Sequence, residues 1–177
     1  MNDQPSTCIK SFFKWDALAI AITIIFDALL IWVLVDAFIN YIVLFEIITL
    51  CVLLTCAIFL PIRLIVTKET IKIIRPVGTV KIAMKDIESC NVIEDEKQFF
   101  DQVIRTCGSG GVYGYWGYFR HKKYGKIRFF ATHRKQCFLI KLKDGKYYAI
   151  SSEKRDEIVG FISKNSNCHG FLEHKLP

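Results

Sequence analysis

The sequence predicts an α+β membrane protein, in which a two-helix transmembrane hairpin is followed by an antiparallel β barrel or sandwich capped by a C-terminal helix. Three observations carry this. Two long apolar stretches stand near the N-terminus, the hydrophobic period changes to alternation from Arg63, and a segment of helical period follows the last alternating run. Composition divides at the same boundary. The chain is 52% hydrophobic with a formal net charge of +7, but residues 1–62 hold 2 Lys+Arg against 5 Asp+Glu, whereas residues 63–177 hold 22 against 12. A greasy part and a basic part are averaged together, and the basic part is long enough for one compact domain.

Residues 1–14 are expected to be a short cytoplasmic segment and residues 15–62 the hairpin. The first span, 17–35, has 19 residues with Asp27 as its one charge. At ~1.5 Å per residue it matches the ~30 Å hydrocarbon layer. Trp15 and Trp32 stand near its ends, where indole rings favour the headgroup boundary. A cleavable leader has an apolar core of only ~7–15 residues and a small-x-small cleavage site, which this run lacks. The second span, 41–60, is closed by Pro61 and Arg63, and only residues 36–40 separate it from the first, so the helices turn back antiparallel. Lys10 and Lys14 precede span one, Arg63, Lys68 and Lys72 follow span two, and the tip carries only Asp36. This bias predicts an inner-membrane protein with both termini and the β domain in the cytoplasm. Asp27 and Glu46 are acids within the spans, each costing about 2.5–3.5 kcal/mol at the bilayer centre. They are read as protonated carboxyls hydrogen-bonded to a neighbouring helix, or else as a proton or ion site or as interhelical contacts in a larger membrane complex.

The β domain is expected over 63–164. In 79–85, Val80, Ile82 and Met84 share a face; in 126–132, Ile127, Phe129 and Ala131 alternate with Lys126, Arg128 and Phe130; in 138–142, Phe138, Ile140 and Leu142 share a face. Further strands are expected at 63–67, 70–75, 87–93, 99–105 and 147–151, which gives seven or eight in all. Asp144-Gly145 reads as a hairpin turn of type I′, and Arg75-Pro76-Val77-Gly78 as a second break. In the closing helix Ser152 is the expected cap, Glu153 suits the positive end, and Ile158, Phe161 and Ile162 form an i, i+3, i+4 face. Residues 165–177 have no period and read as a tail.

Seven cysteines, with no CxxC pair and two of them in an apolar stretch, argue against a disulfide framework or zinc site and fit a reducing compartment. His121, His133, His169 and His174 stand alone, and the acids Asp86, Glu88, Glu94, Asp95 and Glu96 read as a solvated run, so no catalytic residue, metal site or cofactor is expected. The most unusual segment runs from Gly108 to Lys135. Tyr113, Tyr115, Trp116, Tyr118 and Phe119 alternate with Gly111, Gly114 and Gly117, and Arg120, His121, Lys122, Lys123, Lys126 and Arg128 follow. Residues 105–146 hold 11 basic residues and one acid, Asp144. Neither GxxxxGK[ST] nor GxGxxG occurs, which argues against nucleotide binding. Tethering to a bilayer argues against single-stranded nucleic acid. Two readings remain: a glycine-permitted loop whose rings pack on the β domain or the span ends, or a surface for an anionic leaflet or a protein partner, self-association included. On the second, Tyr113, Tyr115, Trp116, Tyr118, Phe119, Arg120, Lys122, Lys123, Lys126 and Arg128 form the binding segment.

Residues 108–162 resemble the bacterial pleckstrin-homology-like (PH-like) membrane protein family, in the pattern GSGG-x-x-GY-aromatic-G-x-F, then G-K-aliphatic/aromatic-R, AT-x-RK, and GK-x-Y-x-I-S leading into a helix. RLIVTKETIKII and VKIAMKDIESCNVI are similar to that family's opening strands. The resemblance covers Arg63 to about Lys164. It departs at Ser151-Ser152-Glu153-Lys154, where relatives often have Ser-Pro-Glu-Asp. It implies a seven-stranded, partly open barrel or sandwich with a C-terminal helix, attached to two membrane helices, and a binding or scaffold role without catalysis. PH domains are known for phosphoinositide and protein binding, but the first turn here is only Lys68-Glu69, too short for the usual phosphoinositide loop.

Overall fold

The computed structural model describes residues 8–39 and 43–166. In chain order they form β1 (Cys8–Phe12), α1 (Ala17–Ile39), α2 (Val43–Phe59), β2 (Arg63–Thr67), β3 (Thr70–Ile74), β4 (Thr79–Ala83), β5 (Ile87–Val92), α3 (Glu96–Asp101), β6 (Val103–Gly111), β7 (Gly114–His121), β8 (Gly125–Ala131), β9 (Cys137–Leu142), β10 (Tyr147–Ser151) and α4 (Arg155–Asn165). Two sheets result, a four-stranded one in the order β1-β2-β3-β4 and a six-stranded one in the order β5-β9-β10-β8-β7-β6. All pairings are antiparallel except β8 with β10. The architecture is therefore a sandwich with helices, not a closed barrel.

Alternation decides which side chain faces which layer. Leu64, Val66, Ile71, Ile73 and Ile82 of the small sheet meet Phe130, Phe138, Ile140 and Ile150 of the large one, and Ile158 and Ile162 of α4 close the gap. The opposite face of the large sheet buries Ile127, Phe129, Ala131, Leu139 and Ala149 under Phe99 of α3 and Ala19 at the start of α1. Both faces of the large sheet are thus covered, which explains why β9 reads as an almost continuous apolar run.

α1 and α2 pack on each other, with the start of α1 and the end of α2 against the β domain. α1 is long and apolar enough to cross a membrane, with mean hydropathy 2.7 over Ala17–Asp36, and α2 has 17 described residues. Ile24, Ile25, Leu29, Ile31 and Trp32 are exposed on α1.

Several expectations need correction. Residues 36–39, expected in the hairpin tip, continue α1; residues 40–42 and the tail from 167 lie outside the described residues. The N-terminal segment is not separate from the domain, because Cys8–Phe12 pairs with β2 from Cys8 opposite Thr67 to Phe12 opposite Arg63. The expected strand 99–105 is divided: Asp95 accepts the Gln98 N–H at 2.9 Å and caps α3, so the acidic run starts a helix. The strand begins only at Val103. Gly108–Phe119 is no loop; it forms most of the β6–β7 hairpin, bringing the total to ten strands among the described residues instead of seven or eight. Gly145 has φ +81 and Asp144 has no positive φ, while the Gly145 N–H bonds to the Leu142 carbonyl at 2.9 Å. That geometry is a three-residue turn with a left-handed glycine, not type I′. Ser152 does not cap α4. Its hydroxyl accepts the Lys154 N–H at 3.1 Å and bonds with Ser11 at 2.8 Å, which ties β1 to the helix start.

Candidate functional site

The glycines of the β6–β7 hairpin set the site's shape. Gly108 and Gly117 lie opposite each other with φ +123 and +115, and a Cβ on Gly108 would stand 2.1 Å from the Trp116 carbonyl oxygen. Only glycine permits the two backbones to approach so closely. The hairpin tip then rests on α1: the Tyr113 N–H donates to Thr23 Oγ1 at 2.9 Å, and the Tyr113 hydroxyl donates to Asp27 Oδ1 at 2.7 Å. Asp27 thus finds its partner in the β domain and not, as expected, on a neighbouring helix. Glu46 belongs to α2, and its side chain lies outside what is described.

The helix bases are fixed to the same sheet. Asp16 accepts the Ala19 N–H at 2.6 Å and the Arg134 N–H at 3.1 Å, while its own N–H donates to the Thr132 carbonyl at 2.9 Å. At the end of α2, Phe59 stacks on Trp116 with ring centroids 5.2 Å apart, and the Arg75 guanidinium lies 5.7 Å from the Phe59 ring.

The ten expected binding residues therefore separate into four groups. Tyr113 is bound to α1. Tyr115, Trp116 and Phe119 are buried, Tyr115 under the Arg134 guanidinium at 4.7 Å. Lys122 and Lys123 sit at the β7–β8 turn, at the other end of β7 and ~23 Å along the strand from Gly114. Tyr118, Arg120, Lys126 and Arg128 remain as one surface. Register puts Tyr118 opposite Arg128 and Arg120 opposite Lys126; Lys126 lies 4.7 Å and Arg128 5.5 Å from the Tyr118 ring. Among the described residues none of Arg75, Arg120, Lys126 and Arg128 has an ion-pair partner. A shallow cavity of about 370 Å³ opens beside them, lined by Thr106, Phe119, Arg120, Gly125 and Lys126. Burial, then the nearby Arg128, pull the Arg75 guanidinium below its ordinary pKa, so the two cations share one field. Sequence reading missed Arg75, because it lies in a turn of the other sheet and only the fold brings it to this face.

His121 plays a structural part. Its Nδ1 accepts the Lys123 N–H at 2.9 Å and its ring lies 4.7 Å from Phe99. Cys137 is fully buried, and burial pushes its thiol well above the ordinary range, so it is inert.

A family model described as Bacterial PH domain matches residues 62–166. The chain belongs to this family. No curated protein and no solved structure matches it. Domains of the PH type are in general binding modules and not catalysts. In this PH domain the β2–β3 turn is indeed two residues, Lys68 and Glu69. A cavity of about 450 Å³ beside it is lined by Lys68, Lys85 and Lys143 with Glu69. It lies at the end of β2 away from α1 and α2, beside Asn165 at the end of α4, whereas the Tyr118 face adjoins the Phe59 end of α2.

Proposed function

We propose that the protein is a membrane-anchored PH module whose Tyr118, Arg120, Lys126 and Arg128 face, with Arg75, docks on an anionic leaflet. The observation that carries this reading is placement: unpaired cations surround an exposed tyrosine next to the point where α2 leaves the domain. On this reading α1 and α2 are the two-span hairpin, and the domain lies on the Lys/Arg-rich, cytoplasmic side. The surface around the helix bases supports it. Phe12, Ile62 and Val77 are exposed apolar residues there, and the Arg63 guanidinium covers the Phe12 ring at 4.5 Å. Interfacial aromatics and basic side chains suit the headgroup layer. Retention of α1 as an anchor, against removal as a leader, is supported by its bonds to Thr132, Arg134 and Tyr113. The module has no catalytic role on this reading. A second reading, a subunit of a larger membrane complex held through Asp27 and Glu46, is weakened at Asp27, whose carboxyl is bonded within the chain.

The test is native mass spectrometry of the full chain with phosphatidylglycerol or phosphatidylcholine. Phosphatidylglycerol is expected to be retained preferentially. Each basic residue near an anionic surface contributes about 1 kcal/mol, so Lys126→Glu with Arg128→Glu should weaken retention roughly 30-fold or more. Reversal of Lys85 and Lys143, which line the cavity at the other end of β2, should change it little. Equal retention of both lipids would sink the reading.

A further inference from the structure

We propose that the tip of the β6–β7 hairpin, Gly110 to Tyr113, is itself immersed at the headgroup-to-acyl boundary, as a wedge beside α1. This rests on the reading of α1 as a membrane span. Depth is the first argument. Ala19 in the first turn of α1 is still buried in the core of the β domain, whereas Ile20, Ile24 and Ile25 beyond it are exposed, so the boundary on the domain side falls near Ile20. Thr23 and Asp27 then lie ~5 Å and ~11 Å inside it, and the hairpin tip is bonded to both. A domain resting outside the bilayer would not reach them.

Composition is the second argument, and it is independent of the first. Residues 106–119 contain no charged side chain, in the most basic part of the chain, and the Arg105 guanidinium that lies beside Gly110 is carried on a long stem suited to reach the headgroups. Backbone satisfaction is the third, because polar backbone groups cannot turn to water in the acyl region. At this tip the Tyr113 N–H goes to Thr23, the Val112 carbonyl accepts the Ser109 hydroxyl, and Gly111 pairs with Gly114. The fit is close: a Cβ on Gly111 would stand 2.7 Å from Ile22 Cδ1, and Tyr113 holds φ 52 to make its two bonds. Trp15 meets the Tyr113 ring edge-on at 6.3 Å, an aromatic pair suited to the headgroup level. The wedge thereby supplies a hydrogen-bond donor to a carboxyl that otherwise lies in hydrocarbon.

The experiment is photocrosslinking of the full chain in vesicles of phosphatidylethanolamine and phosphatidylglycerol. A benzoylphenylalanine replaces, in separate samples, Val112, the exposed Ile25 of α1, and Lys123 at the opposite turn; lipid adducts are read by mass. Expected are adducts at 112 and 25 and none at 123. Adducts at 25 but not at 112, or equal yields at 112 and 123, overturn the wedge while the span stands. No adduct at 25 overturns the span reading, and the wedge with it. Position 110 gives the same test should the 112 variant misfold, since a Cβ there meets only the Arg105 side chain, at 3.6 Å.

Discussion

Gly117 shows how much of the site depends on a single hydrogen atom in place of a side chain. With φ +115 and a would-be Cβ 2.2 Å from the Cys107 carbonyl oxygen, Gly117→Ala must push β6 and β7 apart. The expected loss is at least the roughly 1–3 kcal/mol of local backbone strain, read from the denaturation midpoint of the full chain in detergent. Gly160 is the internal contrast. It lies exposed in the middle of α4 with open space around it, so Gly160→Ala should stabilise by about 0.5–1 kcal/mol in the same measurement. His121 gives a pH prediction. Burial and then Lys123 hold its pKa below the ordinary value, so the unfolded chain takes up the proton first as pH falls. The stability it contributes is present above about 6.5 and is lost on acidification through the lower folded value. His121→Asn keeps an acceptor for the Lys123 N–H and should remove that component of the pH profile; an unchanged profile would assign the acid sensitivity elsewhere.

At the scale of elements, legibility followed periodicity. The strand at 63–67 was readable to the residue because its burial alternates, and the one at 147–151 because the Asp144-Gly145 turn and the start of the closing helix bound it. β6 and β7 were not, because glycine contributes no side chain to any period and their rings alternate with it. α3 was misread because Phe99 and Phe100 look strand-like, while the deciding residue, Asp95, acts by capping four residues before Phe99. β1 escaped notice for a different reason. Its partner β2 lies beyond the whole helical hairpin, and no local pattern encodes a pairing across that distance. The start of α1 carries a prediction at this scale. Asp16→Ala removes the acceptor for the Ala19 and Arg134 N–H groups and should cost about 1–2 kcal/mol, whereas Asp16→Asn should retain most of it. Thermal unfolding of the three proteins side by side decides this.

Over the whole molecule, the sequence divides grease from charge, and the fold then joins them again. The surplus charge of residues 105–146 pointed to one binding segment of ten named residues between Tyr113 and Arg128. Folding buries three of their aromatic rings, gives a fourth to α1, and sends Lys122 and Lys123 to the β7–β8 turn. What remains, Tyr118 with Arg120, Lys126 and Arg128, gains Arg75 from the other sheet and lies beside the end of α2. Such convergence belongs to the tertiary arrangement and has no trace in residue spacing. The central claim is that this face meets an anionic leaflet. Hydroxyl-radical footprinting of the full chain in nanodiscs tests it directly, with Tyr124, which packs on His121 and Tyr147 away from that face, as the reference. Oxidation of Tyr118 should fall when phosphatidylglycerol replaces phosphatidylcholine while Tyr124 stays constant; equal Tyr118 oxidation in the two lipids would contradict the account.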